Sequence, residues 1–215
     1  MNGEPYRKAE DKRIGRPYSL LWKCKGLSEE IEVDIEDITE DNLKDIPASC
    51  LGCVYWECPE EFDQAKKEST IAQRETEFQQ KKHDWFIKTR KEFGTCGKIV
   101  YHEGKPVAYA QYAHADFLPN VKAYNSVAVG KREQGIVFIS CLYVSDKAMR
   151  GKGLGEALLK NIVQELKYRE FKAIEAFARR GNPENPSGPL DFYIKNGFVI
   201  KDKSNPEYPL VTLYL

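Results

Sequence analysis

The most informative segment of the chain is Ile136-Val137-Phe138-Ile139-Ser140-Cys141-Leu142-Tyr143-Val144, joined by a short loop to Arg150-Gly151-Lys152-Gly153-Leu154-Gly155. Its first part is almost continuously apolar and rich in β-branched and aromatic side chains, which is typical of a central strand buried on both faces. The glycines precede a predicted amphipathic helix over residues 156–169, and residues 173–178 are predicted as the next strand. Strand, helix and strand in this order predict a parallel βαβ unit with a right-handed crossover.

The flanking segments add strands and helices and predict an α/β fold with a mixed sheet. Ile31-Glu32-Val33-Asp34-Ile35 alternates between apolar and polar residues, which indicates a half-buried strand. A densely charged helical region begins at Pro59 and ends near Phe93, with a predicted break near Ser69-Thr70 and a solvated charged face. The other predicted elements are a short helix over 40–46, a hairpin over 97–102 and 106–113, an irregular stretch over 115–135, a short helix over 190–196 and a strand pair over 198–202 and 210–215.

Length and composition limit the domain count and the class of partner. The chain has 215 residues, enough for one domain with a substantial core and few for two. We predict an N-terminal extension over residues 1–30 and a single domain over residues 31–215. Lysine plus arginine number 33, and aspartate plus glutamate also number 33, so the net charge gives no general attraction to nucleic acid or an anionic membrane.

The sequence also predicts where the protein works. No apolar run approaches the ~20 residues that span a bilayer. Residues 1–16 are polar and lack the apolar stretch of a secretory signal. We therefore expect a cytoplasmic protein with reduced cysteines, with neither nucleic acid nor a membrane among its partners.

Six cysteines raise the question of a metal or redox site. Cys50 and Cys53 form a C-x-x-C pair with Cys58 close behind, but a structural zinc site needs four ligands and usually a second pair. A thioredoxin-like pair would open a helix after a strand, whereas Cys50 follows Pro47-Ala48-Ser49. We predict small buried thiols and no metal site, and keep a metal or redox protein as a third hypothesis. The six are Cys24, Cys50, Cys53, Cys58, Cys96 and Cys141, and the histidines His83, His102 and His114 show no ligand spacing.

The glycine-rich run before the helix predicts an anion site. The first N–H groups of a helix have no partner within the helix, and the helix dipole adds partial positive charge there. Two phosphate-loop patterns fail: Gly155 is followed by Glu156 where the Walker A pattern needs lysine, and Glu156 stands where the dinucleotide fingerprint needs its third glycine. A third pattern, [QR]-x-x-G-x-[GA], matches Arg150 to Gly155 in full.

A second motif lies downstream at the expected distance: Phe192-Tyr193-Ile194-Lys195-Asn196-Gly197-Phe198. With both motifs in order, the sequence resembles the GCN5-related N-acetyltransferase (GNAT) superfamily. The resemblance covers Ile136 to Phe198 clearly and the segments from Ile31 to Ala113 more weakly. It implies a twisted mixed sheet whose central parallel strands splay apart, with helices on both sides, and so makes residues 31–215 one GNAT-type domain.

The resemblance also implies a cosubstrate, acetyl-CoA, and a set of contacts. The pyrophosphate would lie on the backbone N–H groups of Arg150 to Gly155. The pantetheine arm would pair with the end of the preceding strand at Leu142, Tyr143 and Val144, where one N–H polarises the thioester carbonyl. Tyr193 matches the family tyrosine that protonates the leaving thiolate. The family's asparagine about seven residues earlier is absent, because Pro186 stands there; Asn182 and Asn185 are near matches, and we assign Asn185 to the cofactor site.

The general base stays open among several candidates: Glu57, Glu175, His114, Asp116 or a chain of waters. Glu57 is preferred because the apolar and aromatic residues around it, Val54-Tyr55-Trp56, predict burial of the carboxyl. The acceptor side would come from about Cys50 to Phe62 and from Ala115 to Gly135.

We therefore predict an N-acetyltransferase in which a primary amine attacks acetyl-CoA directly in a ternary complex. The acceptor, a small molecule or a protein or peptide amine, is not identified by the sequence. The alternative is a non-catalytic module that binds acyl-CoA for regulation. A monomer or a homodimer is expected.

Overall fold

The computed structural model describes residues 18–23, 30–181 and 187–215, with the backbone alone for residues 18–23, 30 and 31. The described residues form one eight-stranded sheet in the order β1-β2-β3-β4-β5-β6-β8-β7. The strands are β1 (Tyr18–Lys23), β2 (Glu30–Asp37), β3 (Gly97–His102), β4 (Lys105–Ala113), β5 (Ile136–Val144), β6 (Ala173–Phe177), β7 (Val199–Asp202) and β8 (Leu210–Tyr214).

Helices cover both faces of this sheet. They are α1 (Ala48–Leu51), α2 (Pro59–Lys67), α3 (Glu75–Phe93), α4 (Leu154–Tyr168) and α5 (Leu190–Lys195). Consecutive strand residues point to opposite faces, so Gln111 and Tyr112 of β4 mark the two sides. Gln111 bonds to Lys82 of α3, and the Tyr112 hydroxyl donates to Glu165 of α4. The α/β class and the mixed sheet predicted from the sequence are confirmed.

The sheet is antiparallel except at its centre, where β5 and β6 run parallel. α4 connects these two strands, so the predicted βαβ unit is confirmed. The final hairpin is inserted with β8 against β6, which leaves β7 at the edge. At the other edge, β1 pairs antiparallel with β2, so part of the predicted N-terminal extension joins the sheet.

One predicted helix, over residues 40–46, is wrong. The structure has only a 3₁₀ turn there, Leu43–Asp45. Asn42 explains the difference, because its side chain accepts from the Thr39 N–H at 2.8 Å and donates to the Asp37 carbonyl at 3.0 Å. Side-chain bonds to the local backbone compete with helix formation.

The predicted break in the long helical region is confirmed. α2 ends at Lys67 and α3 starts at Glu75, and Ser69 between them has a φ of 56°. That left-handed conformation interrupts the helix and lets α3 turn back along the sheet. Among the described residues, none of the helices is both long and apolar enough to cross a membrane.

Candidate active site

The centre of the sheet opens where β5 and β6 part. Their pairing covers only Ile136 with Ala173, Val137 with Ile174, and Phe138 with Glu175. β5 continues to Val144, yet among the described residues it has no ladder partner on that side beyond Phe138. A strand directs backbone N–H and C=O groups to both sides, so this stretch presents an open hydrogen-bonding edge. Leu142, Tyr143 and Val144 lie on it.

A β-bulge explains why the strands part. β4 and β5 pair at Gln111 with Cys141 and then at Tyr112 with Ile139, so Ser140 is an extra residue in β5. The Ser140 hydroxyl donates to the Gln111 carbonyl at 3.2 Å and holds the bulge closed. An extra residue bends its strand and increases its twist, and here it comes just after the last pair with β6.

The glycine run lies between the open edge and α4. Gly151 and Gly153 have φ values of 76° and 89°, which other residues adopt only with strain. Gly153 is the N-cap of α4, so the helix begins at Leu154, two residues before its predicted start. A Cβ at Gly151 would meet nothing within 4 Å, so the backbone there borders open space. These features suit an anion on the N–H groups of the loop.

Arg150 ties this loop to the end of β5. Its Nε donates to the Val144 carbonyl at 3.0 Å, and one terminal nitrogen donates to the Tyr143 hydroxyl at 3.1 Å. At the other end of the loop, a Cβ on Gly155 would lie 3.5 Å from a methyl group of Leu142 and 3.6 Å from the Phe192 ring. The loop, the open edge and α5 therefore pack together.

Tyr193 of α5 is fully buried, and its hydroxyl has no hydrogen-bond partner among the described residues. Its ring packs edge-on against Phe192 and Phe198, with centroids 5.4 and 5.0 Å away. Burial, and secondarily the nearby Cys141 thiol, raise the pKa of Tyr193 well above its usual value. The phenol therefore stays protonated at physiological pH. An unmet buried donor costs about 1–3 kcal/mol, which marks this hydroxyl as available to a ligand.

Glu57 lies in the loop between α1 and α2 and is buried, as the sequence predicts. Its Oε1 accepts from Lys82 Nζ at 2.6 Å and from Gln111 Nε2 at 2.6 Å, whereas its Oε2 has no partner among the described residues. Burial, the largest single influence, acts to lower the pKa of Lys82, but the charge and hydrogen bond of Glu57 and the smaller influence of the nearby thiols together outweigh it, and the pKa is raised. Lys82 is therefore a cation at physiological pH.

Neighbouring contacts place Glu57 beside the point where the strands part. Gln111, which donates to Glu57, pairs across the sheet with Cys141 on the open stretch of β5. Trp56 packs edge-on against Phe138, the last β5 residue paired with β6, with centroids 5.7 Å apart. The carboxylate thus stands on the α3 side of the opening.

Each of the other candidate bases in the described residues has a polar contact of its own. Glu175 is buried and accepts from Lys201 Nζ at 2.5 Å and from the Gly130 N–H at 2.8 Å, so it anchors the 115–135 segment and β7 to β6. His114 donates through Nδ1 to the Ile136 carbonyl at 2.7 Å, and burial lowers its pKa. Asp116 forms an exposed ion pair with Arg132 at 3.3 Å. Asn185, with Asn182 and Pro186, lies outside the described residues.

The cysteines in the described part of the chain are free thiols. Cys50, Cys96 and Cys141 are buried as predicted, while Cys53 and Cys58 are half-buried. Burial raises the pKa of Cys50 to about 11 and that of Cys96 to about 12. Among residues 30–181 and 187–215, no group of three or more His, Cys, Asp or Glu side chains is arranged to hold a metal ion.

A family model, described as the acetyltransferase (GNAT) family, matches residues 53–198. The chain belongs to the GNAT family. The match includes the open stretch of β5, the glycine loop, Glu57 and Tyr193. No curated protein matches the sequence.

Solved structures show the same fold. The PaiA N-acetyltransferase from Thermoplasma acidophilum, solved in complex with coenzyme A, is 13% identical and covers 85% of this chain and 99% of its own, with a TM-score of 0.56. An N-acetyltransferase from Staphylococcus aureus Mu50 is 17% identical and covers 85% of this chain and 97% of its own, with a TM-score of 0.52. At such identities the likeness establishes the GNAT fold and leaves side-chain roles to this chain's own geometry.

The sequence analysis predicts a solvated charged face for this region and does not single out Lys82, which the structure buries. A signal was present: Phe78, Lys82 and Phe86 are spaced four residues apart and so share one face of a helix. All three are buried. A lysine on the apolar face of a helix is expected to be buried, and a buried cation needs a buried anion beside it.

Proposed function

We propose that this GNAT protein transfers the acetyl group of acetyl-CoA to a primary amine, by direct attack in a ternary complex. One observation carries the proposal: the unpaired edge of β5 leads directly to the glycine loop that opens α4. An acyl-CoA has an amide-bearing arm with a pyrophosphate at one end. The edge offers strand-like pairing to the amides, and the loop offers N–H groups to the phosphates.

The proposed binding roles follow from the positions of the β5 edge and the glycine loop. The N–H groups of residues 150–155 hold the pyrophosphate, and Leu142, Tyr143 and Val144 pair with the pantetheine arm. One N–H of this stretch donates to the thioester carbonyl oxygen, where negative charge develops. Asn185 is proposed as a further cofactor contact. The open space at Gly151 and the unpartnered Tyr193 hydroxyl both fit such a ligand.

The proposed chemistry uses two protein groups. An acceptor ammonium, with a pKa near 10.4 for lysine, must lose a proton before its nitrogen can attack, and Glu57 Oε2 takes that proton directly or through a water. The C–N bond forms as the C–S bond breaks. Tyr193 donates a hydrogen bond and then a proton to the departing sulfur. Because burial raises its pKa, this transfer is favourable only while the thiolate is also shielded from water.

Two segments predicted as the acceptor side meet beside Glu57. The Tyr55 and Tyr124 hydroxyls are 3.0 Å apart, and Trp56 stacks on Tyr124 with centroids 5.5 Å apart. Tyr124 in turn stacks on Phe177 of β6 at 4.2 Å. We propose that the acceptor, a small molecule or a protein or peptide amine, approaches from the side of these two segments in a cytoplasmic monomer or homodimer, with no nucleic acid or membrane involved.

A panel of amines tests the proposal. Purified protein is incubated with acetyl-CoA and small amines, peptides with free N-termini or peptides containing lysine, and the release of free thiol is followed. We expect thiol release that depends on one class of amine. The alternative is a non-catalytic acyl-CoA-binding module, in which the edge of β5 and the glycine loop bind the ligand and no amine is acetylated. Coenzyme A binding without transfer to any amine would favour it.

A further inference from the structure

A lysine inside the protein holds the carboxylate of Glu57. The side chains of Lys82 and Glu57 are 2% and 1% exposed, and Nζ lies 2.6 Å from Oε1. Lys82 Nζ also donates to Gln111 Oε1 at 3.2 Å, and the Tyr109 hydroxyl donates to the same oxygen at 2.5 Å. With two donors on its oxygen, the Gln111 amide can only present its nitrogen to Glu57.

The contacts of this cluster are one-sided. Both donors to Glu57, Lys82 Nζ and Gln111 Nε2, reach Oε1, and Oε2 is buried without a donor among the described residues. Most buried polar atoms in proteins have a hydrogen-bond partner, so a buried carboxylate of a purely structural ion pair is expected to have both oxygens engaged. Glu165 on the opposite face of the sheet does so: one oxygen contacts Lys98 and Tyr112, and the other contacts Arg169.

We propose that Lys82 is a positioning residue for acetyl transfer. Its Nζ pairs with the Glu57 carboxylate, holds Oε1 in place together with Gln111, and so leaves Oε2 to accept the proton of the acceptor amine. This inference rests on the role proposed for Glu57.

The other titratable groups around Glu57 do not supply a charge. They are Cys50 on α1, Cys53 and Cys58 on the loop before α2, Tyr109 on β4 and Cys141 on β5. Burial, the largest influence on each of them, raises the pKa of every one of these thiols and of the phenol, which are therefore neutral at physiological pH. Lys82 is the cation of this group.

Removal of that cation has a predictable sign. A buried carboxylate without its positive neighbour binds a proton at higher pH, so more of the base is protonated and inactive at neutral pH. In Lys82→Gln, which keeps a hydrogen-bond donor without the charge, the acid limb of kcat/KM moves up by about one pH unit or more. At pH values below the wild-type limb this lowers kcat/KM about tenfold, and activity returns as the pH is raised. Lys82→Arg, which keeps the charge, retains the position of the limb.

Lys98→Gln is the matched control, since Lys98 is also a buried lysine with two carboxylate partners, Asp37 and Glu165, away from the opening. It lowers thermal stability and leaves the acid limb in place. If Lys82→Gln loses stability like Lys98→Gln but keeps the wild-type limb, Lys82 is structural and the inference is overturned.

A second readout separates this inference from the proposed function. The Glu57 carboxyl carbon is followed by NMR against pH, with Glu57→Gln identifying the signal. We expect the signal to titrate at higher pH in Lys82→Gln than in wild type. Unchanged titration overturns the role of Lys82 even if transfer is observed. If no amine is acetylated but the Glu57 signal still shifts in Lys82→Gln, the proposed function is wrong, while the electrostatic effect of Lys82 on Glu57 stands.

Discussion

The two faces of the sheet carry buried charges of different kinds. On the α4 face, Lys98 contacts Asp37 at 2.5 Å and Glu165 at 2.7 Å, and Arg169 contacts the other oxygen of Glu165. On the α3 face and at the opening, Glu57 Oε2 and the Tyr193 hydroxyl have no partner among the described residues. Satisfied buried groups hold elements together, whereas unsatisfied ones carry a cost that a bound ligand can offset. Thr89 Oγ1 of α3 and Arg179 Nε are also buried without a partner among the described residues, so an unmet atom supports a functional role only where it also lies at the opening.

The largest effect on activity is expected at Glu57. Glu57→Gln keeps the side chain's shape but removes the base, and we expect kcat to fall about 10² to 10⁴-fold. Steady-state kinetics with the amine found in the panel measures this. Glu77→Gln, which alters an exposed acid of α3, is the control and should keep wild-type kcat. A loss of less than threefold in Glu57→Gln would place the base elsewhere, in a water chain.

The largest effect on stability is expected on the other face. Lys98→Met leaves Asp37 and Glu165 without their shared cation. Loss of one member of a buried pair costs about 3–5 kcal/mol, and we expect the lower end here because the two carboxylate side chains are 21% and 18% exposed. Urea unfolding gives the free energy of unfolding. The exposed Lys88, changed to Met, should alter it by less than about 0.5 kcal/mol. A loss of acyl transfer in folded Lys98→Met would break the contrast between the faces.

Two buried tyrosines allow a hydroxyl without a partner to be compared with a hydrogen-bonded one. Tyr193→Phe removes a hydroxyl without a partner, so we expect turnover to fall about tenfold or more while coenzyme A binding and stability are kept. Tyr112→Phe removes a hydroxyl bonded to Glu165 at 2.7 Å and should lower stability by about 1–3 kcal/mol without changing turnover. Calorimetry and the thiol assay measure both. Unchanged acetyl transfer by Tyr193→Phe would remove its role as the acid.

A smaller effect is expected at Gly153. Its φ of 89° is strained for alanine by about 1–2 kcal/mol, so Gly153→Ala should disturb the loop and weaken coenzyme A binding by roughly 5- to 30-fold. Gly104, in the β3–β4 turn, has a φ of 72° and open space around it. Gly104→Ala should lower stability similarly but keep the affinity. Equal affinities in the two variants, measured by titration calorimetry, would argue against the phosphate site.

The smallest effect concerns acid stability. Burial lowers the pKa of His114, so the folded protein binds fewer protons there than the unfolded chain. That contribution is complete above the unfolded pKa of about 6.5 and is lost as the pH falls below it. His114→Gln should therefore reduce the loss of stability between about pH 7 and 5. Urea unfolding at the two pH values tests this, with His83→Gln as the control, and an unchanged pH dependence would contradict it.

The sequence determined the fold to a large extent, because its signals there are local. Period, apolar runs and glycines gave the bounds of β5 correctly, and they gave β6, the β3–β4 hairpin and α5 to within one residue at each end. The error at residues 40–46 arose where one side chain, Asn42, bonded to nearby backbone. The sequence also singles out the proposed phosphate loop and Tyr193, because the family's motifs are contiguous and keep a fixed spacing.

Long-range packing alone determines which polar groups form contacts with one another and which remain without a hydrogen-bond partner. Glu57, Lys82 and Gln111 come from three distant segments, and no local pattern predicts that both donors reach the same oxygen. The parting of β5 from β6 likewise depends on the bulge at Ser140, which arises only when β4 pairs alongside. Local sequence fixes backbone conformation through sterics and periodicity, whereas partner choice depends on long-range packing, and the proposed chemistry rests on those partners.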